Sequence, residues 1–267
     1  MPMLISIITI NYNNDEGLKK TMKSVLEQNY AAIQYIIIDG NSSDQSVSLI
    51  KEYENDISYW VSEPDNGIYD AMNKGIKHAD GSYILFLNSG DWLYSDRVIS
   101  DFVASDPQED FLYGNAMLVY DDKPAVKKQM PKKLDGTTLF SQTVTHQAMF
   151  HKKRLFKKQQ FDIRFTMIAD WVFYNSAIHF ENASFRYLNR TIVNYDMSGF
   201  SSDQENRGII ETEREQFYAE HSNYMQPLRN QYNAEVESYN ATRSQPLLMR
   251  WAARVQRKLK RNKSGNL

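Results

Sequence analysis

Cysteine is absent from the 267 residues. That excludes a disulfide framework and any thiolate metal site. Long apolar runs are missing as well, and none approaches the roughly 18 residues that a membrane-spanning helix needs. The run from Leu4 to Ile10 has no basic lead and continues into polar Asn11-Tyr12-Asn13-Asn14, so no secretion leader is expected. No Gly-x-Gly-x-x-Gly fingerprint and no phosphate-binding Lys loop occur, which disfavours dehydrogenases and ATPases. No Gly-x-Ser-x-Gly nucleophile elbow is present, and no His cluster has zinc-ligand spacing. These absences lead us to expect a cytoplasmic protein.

What the chain does contain is enough apolar matter, 42%, for a substantial core. Its length suits one large domain or one domain with a small appendage. Aromatics make up 13%, including 17 Tyr, which suits surfaces that stack on carbohydrate as well as a packed interior. Charge is uneven. Lys and Arg number 31 against 33 Asp and Glu, yet eight of the basic residues and none of the acids lie beyond Glu237. An acidic body with a basic tail argues against a general nucleic-acid binder and for a tail with a separate task.

Strands and helices alternate through the first ninety residues. Leu4–Ile10, Gln34–Ile38, Ile57–Ser62 and Tyr83–Leu87 read as strands. Asp15–Gln28, Ser46–Glu54 and Ile68–His78 read as helices with one apolar face. This is the βαβ rhythm of a mostly parallel, doubly wound α/β sheet. Beyond residue 91 the pattern loosens. Arg97–Ala104 and Met167–Phe180 look helical, and Phe111–Tyr120, Val126–Met130 and Arg186–Asp196 look like strands. Ile209 to Tyr224 reads as a charged helix. Polar clusters follow strands one, two and four, at Asn11–Asn14, Asp39–Asp44 and Asn88–Asp91, all on the carboxyl edge where open α/β sheets bind ligands.

Asp91 is the most informative of these. A buried strand cannot hold an uncompensated carboxylate, so this acid must sit at the strand's exit and face a cleft. Placed behind Ser89-Gly90, it is set to hold a divalent cation against a phosphate. The alternative is a helix N-cap, with Trp92-Leu93 following.

The motifs, in order, resemble family-2 glycosyltransferases of the GT-A fold, in particular bacterial enzymes of surface-polysaccharide assembly. Ile5-Ser6-Ile7-Ile8-Thr9-Ile10-Asn11-Tyr12-Asn13 resembles the family's first strand and nucleotide loop. Ile36-Ile37-Ile38-Asp39-Gly40-Asn41-Ser42-Ser43-Asp44 resembles its Asp-Gly-Ser segment. Asp65-Asn66-Gly67-Ile68-Tyr69-Asp70-Ala71-Met72-Asn73-Lys74-Gly75 is similar to a form found in capsule and exopolysaccharide enzymes. Leu87-Asn88-Ser89-Gly90-Asp91 stands where the family's Asp-x-Asp metal motif lies, although Asn88 and Gly90 occupy positions where acids often stand. The resemblance covers about residues 4–205. It implies a GT-A domain over 1–205 and a helical extension over 206–267.

The resemblance also implies roles. Asp91 would bind Mn²⁺ or Mg²⁺. Asp39 would receive the base or ribose of the nucleotide, the alternative being an Asx-turn with Asn41. Thr9, Asn11 and Tyr12 would flank the base, Tyr12 by stacking or as a rim aromatic. Asn73, Lys74 and Ser89 would face the nucleotide's phosphates, Lys74 being otherwise a solvated helix charge. Asp170 would be the base that deprotonates the acceptor hydroxyl, at a helix start where an N-cap is also an option; Ala169 stands where the family commonly has Glu. His146 would lie near the acceptor, and Gly199 and Ser201 in a loop that closes over the donor.

The expected activity is metal-dependent, inverting transfer of a sugar from a nucleotide-diphosphate donor, UDP-linked, to a glycan or lipid-linked acceptor. The rivals are a nucleotidyltransferase, which normally carries a basic Gly-rich loop where this chain has Asn11–Asn14, and a non-catalytic nucleotide- or carbohydrate-binding module. In the tail, Leu247, Leu248, Trp251, Val255 and Leu259 share one helical face among basic residues. Such a helix suits an anionic membrane surface, giving a peripheral association with the inner face of the membrane; docking on the acidic body is the alternative.

Overall fold

The computed structural model describes residues 2–141, 144–198 and 206–243. The chain divides into two units, Met1–Glu220 and His221–Leu267. The first contains β1 (Ile5–Asn11), α1 (Asp15–Leu26), β2 (Ile33–Asp39), α2 (Ser46–Glu52), β3 (Tyr59–Ser62), α3 (Ile68–His78) and β4 (Tyr83–Phe86). It continues with β5 (Trp92–Leu93), α4 (Val98–Ala104), β6 (Phe111–Val119), β7 (Val126–Lys128), α5 (Gly136–Ser141), a 3-10 turn His146–Ala148 and β8 (Met149–Lys152). α6 (Ala169–Glu181), β9 (Phe185–Asp196) and α7 (Arg207–Glu220) complete it. In the second unit the described part is α8 (Ser222–Arg243), with Pro227 inside the helix. The single helix expected over 209–224 is thus two, α7 ending at Glu220 and α8 beginning at Ser222.

One mixed sheet runs in the order β3-β2-β1-β4-β8-β6-β9-β5, with β7 paired to β6. Its first four strands are all parallel, as the βαβ rhythm requires. β8 then enters antiparallel between β4 and β6, and β6 pairs parallel with β9. The looser pattern beyond residue 91 therefore reflects a change from parallel to mixed pairing.

The parallel half is built by burial on both faces. Every residue of β1 is buried, because β2 and β4 flank it and helices cover it. α3 comes so close to β1 that a Cβ on Gly75 would lie 2.5 Å from Ile8 Cγ2; only glycine fits. The mixed half rests on an aromatic core. Phe86 and Phe111 meet His151 edge-on, and Phe156 stacks on Phe173 at 4.8 Å. His151 is fully buried, with Nδ1 3.3 Å from Ile84 O and Nε2 3.0 Å from the Tyr174 hydroxyl. Burial pushes its pKa down to about 3, so the ring is neutral here.

Candidate active site

The loops after β1 and β2 are laced together at the carboxyl edge. Asn13 and Asn41 adopt left-handed backbone, φ 47° and 65°, a conformation Asn tolerates better than most residues. Asn13 N–H donates to Ser42 Oγ at 2.8 Å, and Ser43 N–H to Asn13 Oδ1 at 2.8 Å. Asp15 N–H donates to Asp44 at 3.0 Å. Burial alone would raise the Asp44 carboxyl, but hydrogen bonds from Ser46 and Asp15 outweigh it and hold it below the ordinary range.

Asp39 lies beneath these loops with no exposed surface. Its carboxylate accepts from Asn11 Nδ2 at 2.8 Å, Ser42 Oγ at 2.6 Å, Ser42 N–H at 2.9 Å and Ser62 Oγ at 2.6 Å. Four donors fill its acceptor capacity. In this conformation Asp39 organises the loop through Ser42 rather than Asn41, and a nucleotide would have to displace a serine hydroxyl to reach it. Tyr12, 67% exposed, stands at the rim above Gly40.

Three expected nucleotide contacts are placed elsewhere. Thr9 points into the core, fully buried, 3.1 Å from the Tyr35 hydroxyl; strand alternation puts it on the face of Asn11 but one pleat deeper. Asn73 spends both ends of its amide on the backbone of Phe161, at 2.8 and 3.0 Å. Lys74 pairs with Glu63 at 2.8 Å and donates to Pro64 O at 2.7 Å, so it braces the turn before α3. Ser89 stays at the edge, its Oγ 3.4 Å from Asn14 Nδ2. Gly199 and Ser201 lie outside the described residues.

Asp91 is not a helix cap, since the short strand β5 follows it. Gly90, at φ 99°, makes the turn that delivers it, and Thr21 of α1 anchors that turn by donating to Asp91 O at 2.6 Å. The carboxylate is 5% exposed. It accepts from Asp196 N–H at 2.9 Å and Gln147 Nε2 at 2.9 Å. Burial pushes it up to about 7, against the pull of Asp196 N–H, His146 and Gln147. It has hydrogen bonds but no cation within ion-pair distance among the described residues.

Asp170 opens α6 and is equally deep. Tyr69 Oη donates to Oδ1 at 2.9 Å, Trp171 N–H donates to Oδ1 at 2.7 Å, and His146 Nδ1 lies 3.0 Å from Oδ2. Burial would raise this carboxyl too, but these three partners hold it below its usual range. His146 Nε2 reaches Asn88 Nδ2 at 3.3 Å. The 3-10 turn thus offers consecutive side chains to the two acids, His146 to Asp170 and Gln147 to Asp91. From α7, buried Glu213 grips the chain ahead of α6, accepting from Thr166 N–H at 2.6 Å, Thr166 Oγ1 at 2.8 Å and Met167 N–H at 3.0 Å.

A cleft of about 330 Å³ opens on Asp170, His146 and Gln147, walled by Tyr69, Trp171 and Tyr195. Among the described residues no three His, Cys, Asp or Glu side chains converge as metal ligands. The residues at Asp91 nevertheless fit a hard cation that brings further ligands with it. The Asp91 carboxylate forms no ion pair among the described residues and is pushed up by burial, and Asn88 Oδ1 is buried without a hydrogen-bond partner. Mg²⁺ is commonly held in this manner, by one or two carboxylates plus substrate phosphates.

A parallel nucleotide-type half-sheet with two buried acids at its carboxyl edge defines the class, a GT-A glycosyltransferase fold. The sequence model of glycosyl transferase family 2 matches residues 6–183, and the chain belongs to that family. An uncharacterized glycosyltransferase of Mycobacterium tuberculosis is 35% identical over 214 residues, 77% of this chain and 80% of the relative. A PGL/p-HBAD biosynthesis glycosyltransferase of Mycobacterium bovis is 24% identical, over 73% of this chain and 78% of that one. Among solved structures, S. aureus TarS in complex with UDP superposes with a TM-score of 0.62 at 19% identity, over 73% of this chain and 60% of that chain. A mannosyltransferase of Pyrobaculum calidifontis in complex with GDP-Man and Mn²⁺ gives 0.52 at 12% identity, over 72% and 56%. At these identities the two structures show the shared fold.

Proposed function

We propose that this glycosyltransferase moves a sugar, with inversion, from a UDP-linked donor to a hydroxyl of a glycan or lipid-linked acceptor in bacterial surface-polysaccharide assembly. The observation that carries this reading is the clasp of Asp91 and Asp170 by neighbouring Gln147 and His146. It joins an acid suited to the leaving diphosphate to an acid suited to the incoming hydroxyl. The UDP complex of TarS and the GDP-Man and Mn²⁺ complex of the mannosyltransferase support a nucleotide-sugar donor and a divalent cation.

In the proposal Asp91 and Asn88 would hold Mn²⁺ or Mg²⁺. The bound cation would supply positive charge to the departing diphosphate. Asn11 and Tyr12 border the base, and Asp39 holds Asn11 and Ser42 in place for it. Ser89 sits on the phosphate side. Asp170 has three of its four acceptor positions filled, and the fourth, on Oδ2, takes the proton of the acceptor hydroxyl as it attacks. A single carboxylate suffices for one in-line displacement. His146 orients that carboxylate. We infer that the catalytic domain, 1–205 by motif, takes in α7 as well, because Glu213 braces the approach to Asp170. Of the basic tail 243–267, all but Arg243 lies outside the described residues; in this reading the tail brings a cytoplasmic enzyme to an anionic membrane surface. No helix among the described residues is long and apolar enough to cross a membrane.

Release of UDP from UDP-sugars, measured with and without Mn²⁺, tests the reading. Metal-dependent release that disappears in Asp91→Ala is expected. Undiminished release by that variant at low Mn²⁺ would remove the assignment.

A further inference from the structure

Residues 65–75 were expected to serve the nucleotide, yet Asn73 is taken up by Phe161 and Lys74 by the turn before α3. One face of α3 instead crosses to the mixed half of the sheet. Tyr69 and Asn73 stand one helical turn apart on that face. Asn73 holds the Phe161 backbone, and the Tyr69 ring leans on the Phe161 ring with centroids 5.5 Å apart. Phe161 packs in turn against Phe86, Phe156 and Phe173. The buried phenol is therefore wedged in place, and its hydroxyl has little freedom. Tyr69 Oη donates to Asp170 Oδ1 at 2.9 Å and lies 3.2 Å from Met167 O. A phenol has one proton, and the shorter contact to the charged oxygen takes it. Burial beside Asp170 raises the phenol well above its ordinary value, so it is a donor here.

Oδ1 of Asp170 thus has two donors, Tyr69 Oη and Trp171 N–H, which fill that oxygen. Oδ2 has His146 Nδ1 as its partner among the described residues and keeps an open lone pair. We infer that Tyr69 is a positioning residue, whose hydroxyl pins Oδ1 and so presents the open lone pair of Oδ2 to the attacking hydroxyl. The inference rests on Asp170 being the base of the transferase reading, and it gives α3 a task on the acceptor side. The rival role, setting the strength of the base, predicts the opposite sign. Tyr69 is one of the partners that hold Asp170 below its ordinary range. Removing its hydroxyl makes the carboxylate more basic, and a stronger base takes a proton faster. Lost aim slows the step instead.

The test is Tyr69→Phe, which keeps the ring against Phe161 and removes one oxygen. Release of UDP from UDP-glucose, UDP-galactose and UDP-N-acetylglucosamine is followed at neutral pH in saturating Mn²⁺, with water as the attacking hydroxyl. For the sugar that the unaltered chain turns over, kcat is expected to fall about ten- to a hundredfold, with KM unchanged. In an Asp170→Asn background, where there is no base to aim, adding Tyr69→Phe should slow the residual release no further. Circular dichroism of Tyr69→Phe should match that of the unaltered chain. An equal or higher kcat in Tyr69→Phe overturns the inference. A loss of the same size in the Asp170→Asn background overturns it too, by making Tyr69 part of the wall alone, as does a rise in KM that accounts for the whole effect. Near-normal release by Asp170→Asn would remove the base and the inference together. Failure of the transferase reading would show separately, as an unaltered chain that releases no UDP from any UDP-sugar, and the inference falls with it.

Discussion

Asp91 and Asp170 lie at opposite ends of one clasp and are almost equally deep, 5% and 7% exposed. Their carboxyls are nevertheless driven in opposite directions, Asp91 up to about 7 and Asp170 below the ordinary range. Depth cannot account for the difference. Asp91 has one backbone N–H and one neutral amide, whereas Asp170 has an imidazole, a phenol and a backbone N–H. The number and kind of donors decides which acid is content as an anion and which is short of positive charge.

The largest effect that would sharpen this contrast is on turnover. Asp170→Asn should bind donor normally but transfer sugar about 10²- to 10⁴-fold more slowly, the range of a lost general base; near-normal transfer would place the base elsewhere. Next comes stability. Asp170→Asn, by weakening charge-assisted bonds, should cost about 1.5–3 kcal/mol in urea unfolding, whereas Asp91→Asn should cost less, because it removes a carboxylate that is short of compensation. Equal losses would break the comparison. Glu213→Ala should cost about 1–3 kcal/mol by orphaning the Thr166 and Met167 donors, and should lower transfer more than UDP affinity, since the brace lies on the Asp170 side only.

The smallest effect is a control outside the clasp. His151 binds a proton near pH 6.5 when unfolded but only near 3 when folded. Stability is therefore full above about 6.5 and falls with acid between those values, by at most about 1.4 kcal/mol per pH unit. Urea midpoints measured from pH 7.5 to 5 should decline, and His151→Gln should flatten that decline. An unchanged slope would mean that another group titrates.

The parallel half was legible in the sequence because its signals are local. β1, β2, α3 and β4 fall within a residue or two of their apolar runs, and Asp39 and Asp91 sit at strand exits as expected. What escaped was the pairing that decides where a polar side chain points. Asn73 has the spacing of a site residue, yet Phe161, 88 positions away, takes its amide. Thr9 shares a strand face with Asn11, and only Tyr35 on the neighbouring strand shows that the face is closed at that depth. The clasp itself was half visible. Asp91, Asp170 and His146-Gln147 each stood out, but their convergence depends on β8 inserting between β4 and β6, for which no local pattern exists. Glu213 gave no signal beyond belonging to a charged helix.

One consequence follows from His146 and Gln147 being chain neighbours. One peptide unit separates the side chain that holds Asp170 from the side chain that holds Asp91. In the proposed reaction, a ligand that displaced this turn would loosen the grip on both acids together.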